Sequence, residues 1–308
     1  MSKQRKILLI ILGTVGAVCL IAAGILLVRQ RSADKRSEEL FAQMQEQAQE
    51  RTAESEENAE GAFGEMSDET LKSEADSASA ENADSKASEA GPEETPADLT
   101  DNPYQDSFLA NSDMAAWLRI EGTKIDYPVM WTPRDENYYL YRGFDGKDDK
   151  NGCLILDTDS SLEPLTTNLI IHGHNMRSGA MFGTLTDYEK EEFAKEHNII
   201  TLHTKDRERR YEVIAVFRSQ VYRKTDQVFK FYKFFQADTQ EEFDDFYQNI
   251  KALSLYDTGV TAEFGDSFIT LSTCVYHVEQ GRFVVVAKEI GTGAWYSPFS
   301  ETNNTNND

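Results

Sequence analysis

Near its C-terminus the chain reads Thr270-Leu271-Ser272-Thr273-Cys274 and, eight residues after the cysteine, Arg282-Phe283-Val284-Val285-Val286. Both stretches are rich in β-branched and aromatic residues, and the polar segment between them, with Gly281, has the length of a hairpin loop. Because the end of one antiparallel strand faces the start of the next, Cys274 and Arg282 are predicted to lie at the same end of one hairpin. A lone thiol beside a guanidinium suggests a thiol acyltransferase.

The three cysteines differ in their sequence context. Cys19 lies in a long apolar run, and Cys153 alternates with strand-like apolar residues, which is typical of a buried small hydrophobe. Only Cys274 ends a predicted strand near a cation. The spacing indicates neither a disulfide framework nor a zinc site, and we expect no metal and no cofactor. A disulfide between Cys153 and Cys274 stays open as an alternative.

The N-terminal region predicts a membrane anchor. Ile7 to Val28 is a run of 22 residues without a charge, long enough to cross a bilayer core of ~30 Å as a helix. The run continues directly into Arg29 and lacks the small-residue cleavage site of a signal peptide. We therefore expect a cytoplasmic leader at residues 1–6, a single uncleaved transmembrane helix at residues 7–28, and the remainder outside the cell.

The segment after the apolar run is strongly acidic. From Ser37 to Asp101 there are 20 acidic residues and three basic ones, within a chain of net charge −23. Such a composition buries too little apolar surface to offset chain entropy, so residues 29–102 are predicted to form a disordered stalk, with a short helix at Glu38 to Glu50. Residues 300–308 are also predicted to be disordered. The acidity argues against nucleic-acid binding, which favours basic surfaces.

Residues 103–299 hold nearly all the aromatic residues outside the N-terminal segment and are predicted to form one mainly β domain. Eight short strands favour a barrel or a sandwich. The predicted strands are residues 116–120, 127–131, 153–156, 168–171, 199–203, 210–217, 268–273 and 282–290.

Three stretches of the same region show helical patterning, namely residues 107–115, 183–195 and 239–253. The last is the clearest, because Thr239 is suited to be the N-cap and Glu242 follows three residues later. Its aromatic residues recur at helical spacing, which favours packing in the core over contact with a cofactor.

Five histidines are available to exchange protons with the thiol. His174 is the preferred candidate because it follows a predicted strand, where a loop begins on a rigid scaffold. His172 belongs to the strand itself, and His197 and His203 have ordinary surface or strand contexts. His277 remains the main rival, although it lies close to Cys274 along the loop.

Taken together, these residues resemble the sortases, the membrane-anchored cysteine transpeptidases of Gram-positive bacteria. The resemblance covers about residues 103–290 and rests on Gly173-His174-Asn175-Met176, on Thr270-Leu271-Ser272-Thr273-Cys274 and on Arg282. Further similarities to class B sortases are found at residues 117–120, 125–129, 138–140, 181–183 and 254–260. One departure is His172, where the family often has a tyrosine.

The resemblance implies an eight-stranded sortase-type β-barrel, with N-terminal helices and an extra helix before the cysteine strand. It implies a thioacyl enzyme in which Cys274 is the nucleophile, His174 the general acid and base, and Arg282 the group that stabilises the oxyanion. It also suggests that Ser272, Asp126 and Met130 line the substrate groove.

The implied substrates are surface proteins that carry a C-terminal sorting signal, cleaved at the carbonyl of its Thr. The implied acceptor is an amine of peptidoglycan or of a lipid-linked precursor. Three alternatives remain open at this level: a sortase that polymerises pili, a cysteine hydrolase, and a non-enzymatic surface module in which Cys274 is merely buried.

Overall fold

Eight strands follow one another along the chain and close into a barrel in the order β1-β2-β3-β4-β7-β8-β6-β5. The structure is a computed structural model and describes residues 3–66, 102–275 and 278–294. The strands are β1 (Met114–Arg119), β2 (Asp126–Met130), β3 (Leu154–Leu156), β4 (Asn168–Gly173), β5 (Ile199–His203), β6 (Arg207–Gln220), β7 (Phe268–Cys274) and β8 (Gly281–Ala294). The prediction of a mainly β, eight-stranded barrel is confirmed.

The central strands are apolar on both faces because two separate cores cover them. Side chains alternate along a strand, so neighbouring residues of β7 and β8 enter different cores. Leu271 and Val285 belong to the cluster that fills the barrel. Phe268 and Val284 belong to a smaller cluster on the outer face. The even-numbered residues of β7 therefore point outward, which determines the direction of the cysteine side chain.

The outer core is covered by helix α4 (Gln240–Leu253). Thr239 caps this helix, because its hydroxyl accepts a hydrogen bond from the backbone N–H of Glu242, and the Glu242 side chain accepts one from the backbone N–H of Thr239. Phe243 and Phe246 of α4 pack against Phe268 of β7. The predicted helix before the cysteine strand, its cap and its buried aromatic face are confirmed.

Two other predicted helices are shorter than their patterns indicated. Helix α2 (Gln105–Ala110) stops well before residue 115, since β1 begins at Met114. The stretch 183–195 contains a 3-10 helix (Leu185–Glu189) and helix α3 (Glu191–Glu196), separated by the extended backbone of Lys190. Both predictions erred by extending helical periodicity across a break in the backbone.

The N-terminal helix α1 (Lys3–Met66) packs against the barrel over part of its length. Phe41, Met44 and Ala48, spaced three and four residues apart, are buried in the main core. Arg51 forms an ion pair with Asp106, with 2.9 Å between Nη2 and Oδ1. The short helix predicted at Glu38 to Glu50 lies within α1, and its docking was not predicted: three apolar residues on one helical face give the acidic segment a surface to bury.

The predicted membrane span, residues 7–28, lies within α1. In the described ranges, no helix combines the length and the apolar character needed to cross a membrane. Residues 67–101 of the predicted stalk and the predicted tail, residues 300–308, lie outside the described residues.

Shortening Phe41 to alanine should weaken the packing of α1 on the barrel. The side chain is 4% exposed and makes an edge-to-face contact with Tyr127, with 5.5 Å between ring centroids. Removing a buried phenyl ring typically costs about 3–5 kcal/mol, so the free energy of unfolding in denaturant should fall by about 3 kcal/mol or more. Glu39→Ala, an exposed change on the same helix, is the control. Equal stability of the two variants would mean that α1 does not dock here.

His203 should make the fold sensitive to mild acid. Burial, with the charge of Arg119, lowers the pKa of His203 to about 4 from its usual 6.5. The unfolded chain therefore binds a proton near pH 6.5 that the folded chain does not bind, so this stabilisation is present above pH 6.5 and is lost as the pH falls towards 4. Between pH 7 and pH 5 the loss is about 2 kcal/mol. Denaturant unfolding of His203→Gln should show a correspondingly smaller drop than the unmodified chain, whereas His197→Gln should not.

Candidate active site

The thiol and the guanidinium lie opposite each other at the end of the β7–β8 hairpin. Cys274 is the last residue of β7 and is the register partner of Arg282 on β8. Directly opposed residues of an antiparallel pair have Cβ atoms about 4.5–5.5 Å apart on the same face. Cys274 is exposed and its thiol is free. The predicted hairpin and the pairing of these two residues are therefore present in the structure.

His174 is brought to the same place by a second strand. β4 runs parallel to β7, and the last register pair joins Gly173 to Thr273, so His174 and Cys274 are the next residues on adjacent strands. Two side-chain hydrogen bonds connect the ends of β4 and β7 at this corner, where His174 and Cys274 lie. The hydroxyl of Thr273 donates to the carbonyl oxygen of Gly173 at 2.7 Å, and Nδ2 of Asn175 donates to the carbonyl oxygen of Cys274 at 2.9 Å.

The imidazole of His174 is oriented by a backbone carbonyl. Its Nε2 lies 2.8 Å from the carbonyl oxygen of Leu140, and because a carbonyl only accepts, Nε2 must carry the proton. In the neutral ring this leaves Nδ1 with a free lone pair. The ring of Tyr141 lies against the imidazole, with 5.2 Å between centroids. The arrangement fixes both the position of the ring and its tautomer.

The guanidinium of Arg282 is hydrogen-bonded to the backbone of its own hairpin. Nη1 donates to the carbonyl oxygens of Gly281 at 3.1 Å and of Gln280 at 3.3 Å. Gln280 has a left-handed backbone with φ of 57°, which makes the sharp turn before β8. Since an arginine has five N–H donors in one planar fork, those that Nη1 does not use can reach a carbonyl oxygen held near Cys274.

The surface next to the thiol has apolar side chains at its edges and a buried polar residue of β7 beneath it. Ser272 shares the outer face of β7 with Cys274, is 2% exposed, and its hydroxyl lacks a hydrogen-bond partner among the described residues. Tyr141, 61% exposed, and Val221, 40% exposed, present apolar surface nearby, since the former contacts His174 and the backbone of the latter bonds to Gln280. An extended peptide with apolar side chains fits such a surface.

The structure does not bring the other two predicted substrate residues to the thiol. Met130 is completely buried in the main core, so it cannot line an open groove. Asp126 accepts a hydrogen bond from Nε1 of Trp117 at 2.5 Å, and its backbone carbonyl accepts one from Gln45 of α1. Burial raises the pKa of Asp126. This residue lines a cavity of about 310 Å³ beneath α1, and Cys274 is not among the residues that line it.

The remaining cysteines have no part in this corner. Cys153 is buried, its Sγ lies 3.6 Å from the carbonyl oxygen of Arg142, and burial raises the pKa of its thiol. Cys19, Cys153 and Cys274 are all free, so the alternative of a disulfide between the last two is not realised. His277, the rival to His174, lies outside the described residues.

Sequence reasoning missed two contributors to the corner and one cluster near it. The carbonyl of Leu140 and the amide of Asn175 hold the histidine and the cysteine strand, yet a backbone carbonyl has no signature in a sequence. Glu136, Asp157 and His172 meet in the fold with their ligand atoms within 4.8 Å of one another. Within the described ranges, this is the group that could hold a metal ion.

A closed barrel with an exposed cysteine, a histidine and an arginine at one end of adjacent strands has the architecture of a cysteine transpeptidase. The sortase domain family matches residues 118–290, more than half of the chain. The chain is 33% identical over 184 residues to sortase B of Listeria monocytogenes, a match that covers 58% of this chain and 70% of that protein.

Two solved structures are similar as well. The Staphylococcus aureus sortase B–substrate complex aligns with 27% identity and a TM-score of 0.55, over 61% of this chain and 84% of that chain. A sortase B complexed with triglycine aligns with 26% identity and a TM-score of 0.55, over 61% of this chain and 85% of that chain. The chain therefore belongs to the sortase family, within class B, and is a sortase-type cysteine transpeptidase.

Proposed function

We propose that this transpeptidase cleaves a C-terminal sorting signal at the carbonyl of its Thr and transfers the acyl group to an amine of the cell wall. The observation that carries the proposal is the register pairing of Cys274 with Arg282, with His174 following in register on the adjacent strand. One nucleophile, one proton carrier and one cation then surround a single substrate carbonyl.

In the acylation step the thiolate of Cys274 attacks the carbonyl carbon of the substrate Thr, because the thiolate is the nucleophilic form. The tetrahedral intermediate collapses as the bond between carbon and the leaving nitrogen breaks. His174, protonated at this stage, gives its Nδ1 proton to the departing amine while Nε2 stays bonded to Leu140. A thioester between Cys274 and the surface protein remains.

In the deacylation step an incoming amine attacks the thioester carbon. His174, now neutral, accepts a proton from that amine at Nδ1, and the thiolate of Cys274 leaves as the amide bond forms. One imidazole thus serves as acid and then as base. The Leu140 carbonyl supports this reversal, because it holds the ring in place while the opposite nitrogen gains and loses the proton.

Arg282 would stabilise the oxyanion of both tetrahedral intermediates. We expect Arg282→Ala to lower kcat/KM about 10²–10³-fold, the usual loss for one oxyanion donor, without unfolding the barrel. Arg282→Lys should recover only part of the activity, since an ammonium lacks the planar fork. Arg218→Ala, which removes a neighbouring arginine paired to Glu189, is the matched control. Full activity in Arg282→Ala would exclude the guanidinium from the mechanism.

The flanks of the thiol support an extended sorting signal as the substrate. Apolar side chains of the peptide can pack on Tyr141 and Val221, which are exposed beside the thiol. The similar Staphylococcus aureus structure is a substrate complex, and another relative was solved with triglycine. These relatives favour a sorting-signal peptide as donor and a glycine amine as acceptor.

The proposed place of action is the outer surface of the cell membrane. The run from Ile7 to Val28 is uncharged and Lys3, Arg5 and Lys6 precede it, which favours a single anchor with the N-terminus inside. Membrane fractionation tests this: the full chain should sediment with membranes and resist a carbonate wash. A chain lacking residues 7–28 that still resisted the wash would contradict the anchor.

Covalent capture of the intermediate tests the proposed function as a whole. The full-length chain and its Cys274→Ala variant are incubated with peptides of the Asn-Pro-x-Thr-Asn and Leu-Pro-x-Thr-Gly types, either alone, with triglycine or with a lysine-bearing pilin, and analysed by mass spectrometry. We expect an acyl adduct on Cys274 and an amide product with triglycine. Acid product alone in the presence of the amine would indicate a hydrolase, and a product formed only with a lysine-bearing pilin would indicate pilus assembly. No adduct from any peptide would contradict transpeptidation.

A further inference from the structure

A second cluster of chemically active side chains lies beside the proposed catalytic corner. Glu136 lies in the connection between β2 and β3, Asp157 directly follows β3, and His172 belongs to β4. Nε2 of His172 lies 3.1 Å from Oδ2 of Asp157, and the ligand atoms of all three side chains fall within 4.8 Å of one another. All three residues are partly buried. The mechanism described above uses none of them.

We propose that Glu136, Asp157 and His172 form a binding site for a zinc ion. Imidazole nitrogen and carboxylate oxygen are both ligand atoms that zinc binds, and three protein ligands leave a fourth tetrahedral position to water. Binding through Nε2 requires a neutral imidazole in its Nδ1–H tautomer, so the zinc ion would take the place of the proton that now lies between His172 and Asp157. The argument for the site does not rest on the proposed function.

The geometry needs little adjustment to receive the ion. Zinc bonds of about 2.0–2.2 Å in a tetrahedral arrangement place neighbouring ligand atoms roughly 3.3 Å apart. Nε2 of His172 and Oδ2 of Asp157 already lie 3.1 Å apart. Only the carboxylate of Glu136 has to move, by up to about 1.5 Å, and rotation about its side-chain bonds can supply that shift. The second oxygen of Asp157 accepts a hydrogen bond from the backbone N–H of Asp159 at 3.0 Å, which orients the first oxygen.

The charges of the cluster also favour a cation. The carboxylates of Glu136 and Asp157 lie close together and are both partly buried. Lys233 faces both carboxylates, and Asp159 adds a further negative charge. Three carboxylates thus face one lysine and one imidazole. A hydrogen bond between His172 and Asp157 leaves this excess of negative charge in place. A divalent cation would offset it.

A buried hydroxyl gives a second, independent indication of a ligand. Ser272 is the register partner of His172 on the parallel strand β7, so their side chains project from the same face. The serine is 2% exposed, and its Oγ has no hydrogen-bond partner among the described residues. Leaving a buried hydroxyl unpaired is unfavourable. A water molecule on the open fourth position of the zinc would provide the missing partner.

The location of the site gives the ion a consequence for catalysis. Glu136 lies four residues before Leu140, whose carbonyl holds the imidazole of His174, and His172 lies two residues before His174. A zinc ion would therefore tie the β2–β3 connection to β4 at the point where both support the histidine. Zinc occupancy would fix the spacing between the histidine and the carbonyl that orients it.

Metal titration of the full-length chain tests the site. The experiment uses the Cys274→Ala background, which removes the exposed cysteine as a competing ligand. Zinc binding is followed by calorimetry, and cobalt is used as a spectroscopic probe. We expect one zinc ion per chain, and cobalt bands in the visible without the near-ultraviolet charge-transfer band of a thiolate ligand.

Substitutions in the same background identify the ligands. His172→Asn and Glu136→Gln should each weaken zinc binding at least tenfold, whereas His197→Asn, a change in a histidine bonded to the backbone of Glu121, should leave it unchanged. Thermal unfolding without metal checks that each variant is folded. Absence of binding, or binding that His172→Asn leaves intact, would overturn the proposal and leave His172 and Asp157 as a hydrogen-bonded pair only.

Discussion

Cys274→Ala is expected to abolish transpeptidation, with a loss in kcat on the order of 10⁴–10⁶-fold. No other described cysteine can replace the nucleophile, because Cys274 is the one that lies opposite Arg282, whereas Cys153 is enclosed in the barrel core. The variant should still bind the sorting peptide, since the groove beside the thiol is unchanged. The measurement is the rate of amide product formation with a peptide and triglycine, together with the search for an acyl adduct.

Cys153→Ala provides the matched control for the thiol. Its side chain is buried, and burial raises the pKa of the thiol, so it supplies no thiolate at neutral pH. We expect near-normal turnover and a modest loss of stability from the small cavity. Turnover that survives Cys274→Ala but is lost in Cys153→Ala would show that our mechanism assigns the nucleophile to the wrong residue.

His174→Ala should produce the second largest loss, about 10²–10⁴-fold in kcat/KM, because both half reactions need a proton to move at this position. Added imidazole should restore part of the rate, since the cavity left by the ring can admit a free imidazole that again bonds to the carbonyl of Leu140. Single-turnover kinetics would show the loss in both acylation and deacylation.

The control for this prediction is His197→Ala, which removes a histidine held by the backbone of Glu121 and packed on Phe193. It should retain its activity and show no response to imidazole. Residue His277 gives a further check, because His277→Ala is expected to stay active. If His277→Ala were the variant rescued by imidazole, the general acid and base would be His277 and not His174.

The strands of the barrel could be read from the sequence because their pattern is local. Runs of β-branched residues separated by turn residues mark all eight strands to within a few positions, and the capped α4 carries its own signal at Thr239 and Glu242. The opposition of Cys274 and Arg282 follows from the hairpin alone. These features depend on residues close together in the chain.

The features that the sequence did not predict depend on distant pairing. The parallel alignment of β4 with β7, which brings His174 to the thiol, joins segments about a hundred residues apart, and the sequence indicated His174 only by its position after a strand. Met130 was assigned to the groove although register puts it in the core. The docking of Phe41 was missed because the acidity of the surrounding segment dominated its composition.

The metal cluster illustrates the same limit for polar residues. Glu136, Asp157 and His172 span 37 residues of sequence without the short spacing of familiar metal motifs. They meet because β3 and β4 are antiparallel neighbours, with Ile155 opposite His172, and because the preceding connection folds back over them. Only the three-dimensional arrangement reveals that two carboxylates and an imidazole converge.

The continuity of α1 changes how far the enzyme could range from a membrane. Helix α1 runs without interruption through residue 28 to the docked Phe41, a rise of about 20 Å at 1.5 Å per residue. If residues 7–28 are embedded in the membrane, a rigid helix and not a flexible linker connects the membrane to the barrel. The thiol would then stay at a nearly constant height above the membrane, so amine acceptors at that depth of the wall would be acylated preferentially. Lengthening the helix by whole turns would shift the depth at which surface proteins are attached.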